Sequence, residues 1–133
     1  MVTINRKIRQ FSDLNMLFSR HPATADVTKK NDEDAVIASI RNLILTKNFE
    51  RPFHPEIGCQ FHSLLFELWD PVTQSVMERT ILDVIEKFEP RANVTRVEVS
   101  DLSDTNEIQV TVEFLMQNVN SPITVTTTLS RVR

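Results

Sequence analysis

The stretch DPVTQSVMERTILDVIEKFEPR, residues 70–91, sets the architecture of this chain. Apolar side chains recur in it at steps of three and four residues, which predicts a helix from Asp70 to Phe88 with one buried face made of Val76, Thr80, Ile81, Val84, Ile85 and Phe88. Asp70 before Pro71 is a start signal, because a carboxylate accepts from free N–H groups and proline fits the first turn. Pro90 ends the helix and fixes a corner at Glu89, Pro90 and Arg91. Such a corner suits binding to another chain better than catalysis, although a solvated turn explains the same residues.

Downstream of the corner the apolar pattern changes to a period of two residues. Alternation over 94–99, 108–116 and 123–129, separated by turn clusters at 101–106 and 118–122, predicts a three-stranded antiparallel meander. One face of this sheet is apolar, so the helices are expected to pack on it.

The last predicted strand begins after Pro122 and carries threonines on its open side, which places it at a sheet edge. An exposed edge accepts a strand from another protein through main-chain hydrogen bonds. The residues that would do so are Ile123, Thr124, Val125, Thr126, Thr127 and Thr128. An ordinary blunted edge is the alternative.

Upstream of residue 70, two further helices are expected, at 31–46 and from about Cys59 to Trp69, the latter with Phe61, Leu64, Leu65 and Leu68 on one face. Between them lies a rigid extended connector, because its prolines break regular structure, with Phe49 and Phe53 as pins into the core. A hairpin pairing the region 14–18 with 27–29 follows a basic arm at 1–10. The whole predicts an α+β fold in one domain: an N-terminal hairpin, three helices and a C-terminal meander. Its segments are 1–30, an arm and hairpin, and 31–133, the main domain.

Composition removes several classes of function. The chain has 133 residues and a formal net charge of −3, which gives no general attraction to nucleic acid or to anionic lipid. Gly58 is the single glycine, so no glycine-rich loop can hold a nucleotide cofactor. Cys59 is the single cysteine, and no apolar run is long enough to span a bilayer. We therefore expect no cofactor, metal, membrane, nucleic acid or small-molecule substrate.

Three groups of residues are candidates for catalysis, and none is favoured. Glu67 lies among apolar residues, and a buried carboxyl with a raised pKa could serve as the general acid of a muramidase, yet the chain offers no convincing second carboxylate. Cys59 and His62 form a conceivable nucleophile pair, although packing is the commoner role of a lone cysteine. The three histidines lack the spacing of a zinc helix.

Four motifs in order resemble one known family. They are the helix over 39–44, the connector with Arg51, Pro52, Phe53, Pro55 and Gly58, the run 64–67 that ends in Glu67, and the corner of Phe88 with Glu89, Pro90 and Arg91. Over residues 32–131 the chain is similar to the small baseplate wedge protein of contractile-tailed phages, a family that includes a type VI secretion baseplate component.

The resemblance implies a non-enzymatic structural protein of the virion tail baseplate, made and assembled in the host cytoplasm. It implies that Glu89, Pro90 and Arg91 contact the core bundle formed by other wedge subunits, and that the C-terminal strands take up a segment of the tail sheath protein by strand augmentation. The secretion system is the alternative setting. The family has also carried a lysozyme label, for which Glu67 gives little support.

Overall fold

The computed structural model describes residues 11–116 and 119–131, with the backbone alone at 119 and 120, so the predicted basic arm at 1–10 lies outside the described residues. The elements are β1 (Ser12–Leu14), β2 (Lys29–Asn31), α1 (Glu33–Leu45), α2 (Phe61–Leu64), α3 (Pro71–Phe88), β3 (Ala92–Leu102), β4 (Glu107–Met116) and β5 (Val119–Ser130). This order confirms the predicted α+β fold. Contacts divide the chain into two compact units, 1–38 and 39–133, with the division inside α1.

The first unit contains the predicted hairpin, with shorter strands than expected. β1 and β2 pair antiparallel, with Leu14 opposite Lys29. The apolar alternation that extended the predicted strand to Phe18 is not a strand, because Phe18 has a φ of 50° and its N–H donates to the carbonyl of Asn15. Phe18 is accordingly exposed. Apolar alternation alone did not reveal this turn.

The first two helices differ in how well the sequence predicted them. α1 lies where expected, and Ile40, Leu43 and Ile44 are buried. α2 is a single turn instead of the predicted 59–69, and Leu68 is 83% exposed, so the predicted apolar face is wrong at that residue. Asp70 adopts an extended backbone with φ −141° and ψ 165°, which separates the short helix from α3.

α3 begins and ends as predicted. The Asp70 carboxylate accepts from the Thr73 N–H at 2.5 Å, with Pro71 as the first helical residue. The buried stripe is Met77, Ile81 and Ile85, spaced four residues apart, so the prediction that Val76 faces the core is wrong: Val76 is 46% exposed. The sequence pattern had merged two neighbouring stripes of the helix.

The C-terminal meander is confirmed, with strand order β3-β4-β5 and antiparallel pairing throughout. Its buried face is built on alternate residues of β4: Ile108, Val110, Val112, Phe114 and Met116. In β3 the register shifts between Val94 and Arg96, and this bulge lets Ala92 and Val99 both turn inward although they are seven residues apart. β5 begins at Val119, so Pro122 lies within the strand and not before it.

Candidate subunit interfaces

The helix-to-strand corner is closed by an ion pair within the chain. Glu89 caps α3, its N–H donating to the carbonyl of Ile85 at 2.8 Å, and its own carbonyl accepts from Ala92 at 3.1 Å. The Glu89 carboxylate is bound in two places by Arg91, with Nε–Oε1 at 2.5 Å and Nη2–Oε2 at 2.7 Å. Glu89 is only 2% exposed, whereas the Arg91 side chain is 24% exposed and Pro90 lies at the surface. The two charges that flank Pro90 therefore hold each other.

Two opposing effects set the protonation of this corner. Burial raises the pKa of Glu89, while hydrogen bonds from Arg91 and Ser39 lower it, and the net pKa lies below the usual value of 4.5. The carboxylate is therefore ionised at neutral pH and holds the guanidinium in one orientation. A bidentate pair has a fixed planar geometry, so the corner is rigid before any partner arrives. That Glu89, Pro90 and Arg91 contact other wedge subunits remains a prediction.

The connector between α1 and α2 is a closed loop and not the extended segment that was predicted. Lys47 and Cys59 pair as a parallel bridge, and the Cys59 N–H donates to the carbonyl of Thr46 at 2.8 Å. Gly58 makes this closure possible: it has a φ of 143°, and a Cβ there would lie 2.7 Å from the Lys47 carbonyl oxygen. Only glycine fits this position.

The aromatic side chains of the connector lie in solvent, so the prediction that they pin the loop to the core is wrong. Phe49 and Phe53 are 83% and 96% exposed. Both have a positive φ, 66° and 70°, because the chain reverses direction at each of them. Arg51, Pro52 and Pro55 are exposed as well, so Gly58 is the one buried residue of this motif.

The last strand has one neighbour, β4, among the described residues, and so lies at the sheet edge as predicted. The N–H of Val99 points away from β4, since it donates to Glu78. Val99 is opposite Val110, so the main-chain groups of Val110 point away from β3 and towards β5. Val110 is in turn opposite Thr127, and main-chain groups alternate in direction along each strand. Thr127 therefore faces β4, and the main-chain groups of Thr124, Thr126 and Thr128 face the open edge.

The catalytic candidates find little support in their surroundings. Glu67 is exposed, and its neighbour Phe66 is 71% exposed, so this carboxyl is not the buried acid that the muramidase hypothesis requires. Burial raises the pKa of the Cys59 thiol, which disfavours the nucleophilic thiolate. Burial also lowers the pKa of His62. In the described part of the chain, no three histidine, cysteine or acidic side chains are grouped so that they could hold a metal ion. Nor do the described residues include a helix long and apolar enough to cross a membrane.

Two features of α3 were missed by the sequence reasoning. Glu78 binds the edge of β3, a contact between residues 21 positions apart that no local pattern announces. Val72 and Val76 form a separate exposed stripe, 69% and 46% exposed. Their spacing of four residues, offset by one from that of Met77 and Ile81, was the signal that could have separated the two stripes.

Comparison with known proteins decides the family. The profile described as "Baseplate wedge protein gp25" matches residues 30–121. The chain belongs to this family. The baseplate wedge protein gp25 of Enterobacteria phage T4 is 32% identical over 89 residues, which are 67% of this chain and 67% of that protein. The chain is thus a structural component of the baseplate of a contractile tail.

Solved structures share the fold. A subunit of the anti-feeding prophage baseplate matches with a TM-score of 0.72 and 22% identity, covering 83% of this chain and 88% of that one. A Geobacter sulfurreducens protein described provisionally as a tail lysozyme matches with a TM-score of 0.71 and 20% identity, covering 76% and 92%. A type VI secretion baseplate subunit matches at 0.55 and 16%, covering 74% and 93%. These three likenesses concern the fold alone.

Proposed function

We propose that this chain joins the inner baseplate to the first ring of the tail sheath and templates sheath assembly, without catalytic activity. The observation that carries this proposal is the open edge of β5. Between Ile123 and Leu129 this strand keeps one register with β4, and no charged side chain occurs from Val119 to Ser130. A long, regular, uncharged edge is a template for an added strand, and soluble proteins usually avoid it.

The second contact is the corner at Glu89, Pro90 and Arg91, which docks on the helices of other wedge subunits. The internal ion pair fixes the guanidinium, so docking loses little side-chain entropy. The Arg91 side chain is 24% exposed, and this exposed part of the guanidinium provides the charged contact while Glu89 fixes the orientation of the guanidinium. A lysine at this position could not reproduce the paired geometry.

The absence of catalysis is part of the proposal. The exposed position of Glu67 and the raised pKa of the Cys59 thiol both favour a structural role. Purified protein and a Glu67→Gln variant, incubated with peptidoglycan, should release no soluble fragments. The setting is the virion of a contractile-tailed phage, with assembly in the host cytoplasm; electron microscopy of the particle that contains the chain distinguishes this from a secretion system.

The variant Thr126→Pro tests the template directly. The Thr126 N–H faces the open edge, so proline removes no hydrogen bond to β4 and deletes one donor offered to an incoming strand. We expect the purified variant to fold, and the particle to contain baseplates that lack sheath in electron micrographs. Thr126→Val, which keeps the N–H, is the matched control and should assemble normally. Full-length sheath on Thr126→Pro particles would contradict the template role.

A further inference from the structure

The sheet has two edges in the part of the chain that the structure describes, and they differ in charge and in regularity over the residues that would pair with an added strand. β5 is uncharged and keeps an even register from Ile123 onward. β3 carries Arg96, Glu98 and Asp101 and is interrupted by the bulge at Thr95. Charges and bulges are the usual means by which proteins prevent pairing at an edge.

Glu78 adds a direct block to β3. Its Oε1 accepts from the outward N–H of Val99 at 3.2 Å and from Gln74 Nε2 at 3.0 Å. The carboxylate therefore occupies the position that the carbonyl of an added strand would take. Because main-chain groups alternate in direction, Val99 lies in the middle of the outward-facing set that also contains Val97 and Asp101.

Side chains of α3 line the space beside the β3 edge. A groove of about 360 Å³ separates the helix from the strand and is lined by Ser75, Glu78, Arg79, Leu82, Glu86 and residues 94–97. Neighbouring strands lie about 4.8 Å apart and carry side chains on both faces. A strand at β3 would have to displace Glu78 and the charged side chains next to it.

We propose that Glu78 closes the β3 edge, so that the sheet accepts an added strand at β5 alone. This inference rests on the proposed template role of β5 and adds its direction: the incoming segment extends the sheet on one side only. In an assembly with many subunits, a second open edge would allow pairing between copies and branching. Glu78 is thus a residue that determines the specificity of docking.

The test uses the full chain, isotopically labelled, and a synthetic extended peptide of alternating threonine and valine. In the wild-type chain, the peptide should shift amide signals of Thr124, Thr126 and Thr128 and leave Val97 and Val99 unchanged. In Glu78→Ala, new shifts should occur at Val97 and Val99, and exchange of the Val99 amide should accelerate about tenfold, since one hydrogen bond to a charged group is lost. Glu86→Ala, a change in the same groove, is the control and should behave as wild type.

The outcomes separate the inference from the function on which it rests. Peptide shifts along β3 in the wild-type chain, or no new β3 shifts in Glu78→Ala, overturn the role of Glu78. Absence of β5 shifts in the wild-type chain overturns the template proposal, whatever Glu78 does. If Glu78→Ala fails to fold, Glu78→Met replaces it, because methionine favours the helix and has a side chain of similar length without a carboxylate acceptor. The shifts expected at β3 and β5 are the same for this variant.

Discussion

The ion pair at the corner makes Arg91→Ala a test of how the protein holds its docking geometry. Removing the guanidinium leaves Glu89 as a carboxylate that is 2% exposed and has lost both side-chain bonds from Arg91, while the hydrogen bonds from Ser39 and from the backbone of residue 91 remain. Breaking a buried pair in this way costs about 3–5 kcal/mol. Because the Arg91 side chain is 24% exposed and partly screened by solvent, we expect the lower end, about 3 kcal/mol.

A loss of this size is measurable and leaves the chain folded. Domains of this size are stable by about 5–15 kcal/mol, and about 3 kcal/mol corresponds to a fall of roughly 10–15 °C in Tm. Urea denaturation at about pH 7 gives the difference in the free energy of unfolding.

The dependence on pH identifies the cause. The pKa of Glu89 is lowered in the folded wild type, so the stability that it contributes is present above its ordinary value of 4.5 and is lost as the pH falls through the folded value. In Arg91→Ala the Glu89 carboxylate has no cationic side chain beside it, so protonation of Glu89 removes an unpaired buried charge and stabilises the folded state. The difference between the two proteins should therefore shrink on acidification to about pH 4. A difference below about 1 kcal/mol at neutral pH, or one that is independent of pH, would refute the reasoning. Glu89→Gln combined with Arg91→Ala, which removes the stranded charge, should recover part of the loss.

Two further changes test the local structure. Gly58→Ala should lower the free energy of unfolding by roughly 2–4 kcal/mol in urea denaturation, because it adds backbone strain and a clash with the Lys47 carbonyl. Phe53→Ala in the same loop should change it by less than about 0.5 kcal/mol, since Phe53 is 96% exposed; equal effects would mean that the loop packs differently. Asp70→Ala should lower the Tm at neutral pH, where the ionised carboxylate caps α3. Hydrogen bonds from Thr73 lower the Asp70 pKa below 3.8, so the cap stabilises the fold above pH 3.8 and loses its effect only at more acid pH. The difference in Tm between wild type and Asp70→Ala should therefore vanish only at that more acid pH. A difference in Tm that does not change with pH would exclude the cap as its cause.

The sequence predicted the parts of the fold that local chemistry controls. α3 begins after a carboxylate that precedes a proline and ends two residues before Pro90, and the alternation of β4 gave its buried face directly. The errors share a cause. Val76, Phe53 and Leu68 are apolar and were expected in the core, yet all three are exposed. An apolar pattern does not distinguish burial inside one chain from burial between chains, and exposed apolar surface is typical of proteins that bind others.

The sequence predicted which residues form the candidate site, but not the contacts among them. The motif placed Glu89 and Arg91 on either side of a proline, and no rule of spacing says that the two side chains turn back on each other. Likewise, Thr124 and Thr126 were identified as edge residues, whereas the direction of their main-chain groups follows from the bond between Glu78 and Val99, which requires the folded chain. Backbone direction and long-range pairing were the missing information.

The two proposed contacts are linked by the path of the chain itself. The corner leads into β3 through the hydrogen bond from Ala92 to Glu89, so the orientation of the first strand follows from the ion pair that fixes the corner. β3 then pairs with β4, and β4 with β5, in continuous ladders. Under the proposed function, the wedge subunits that hold the corner therefore set the direction in which the β5 edge points, three strands away. A corner that was flexible until bound could not transmit that direction. This argues that the internal pair between Glu89 and Arg91 is itself needed for docking, because it makes the corner and the sheet one rigid unit.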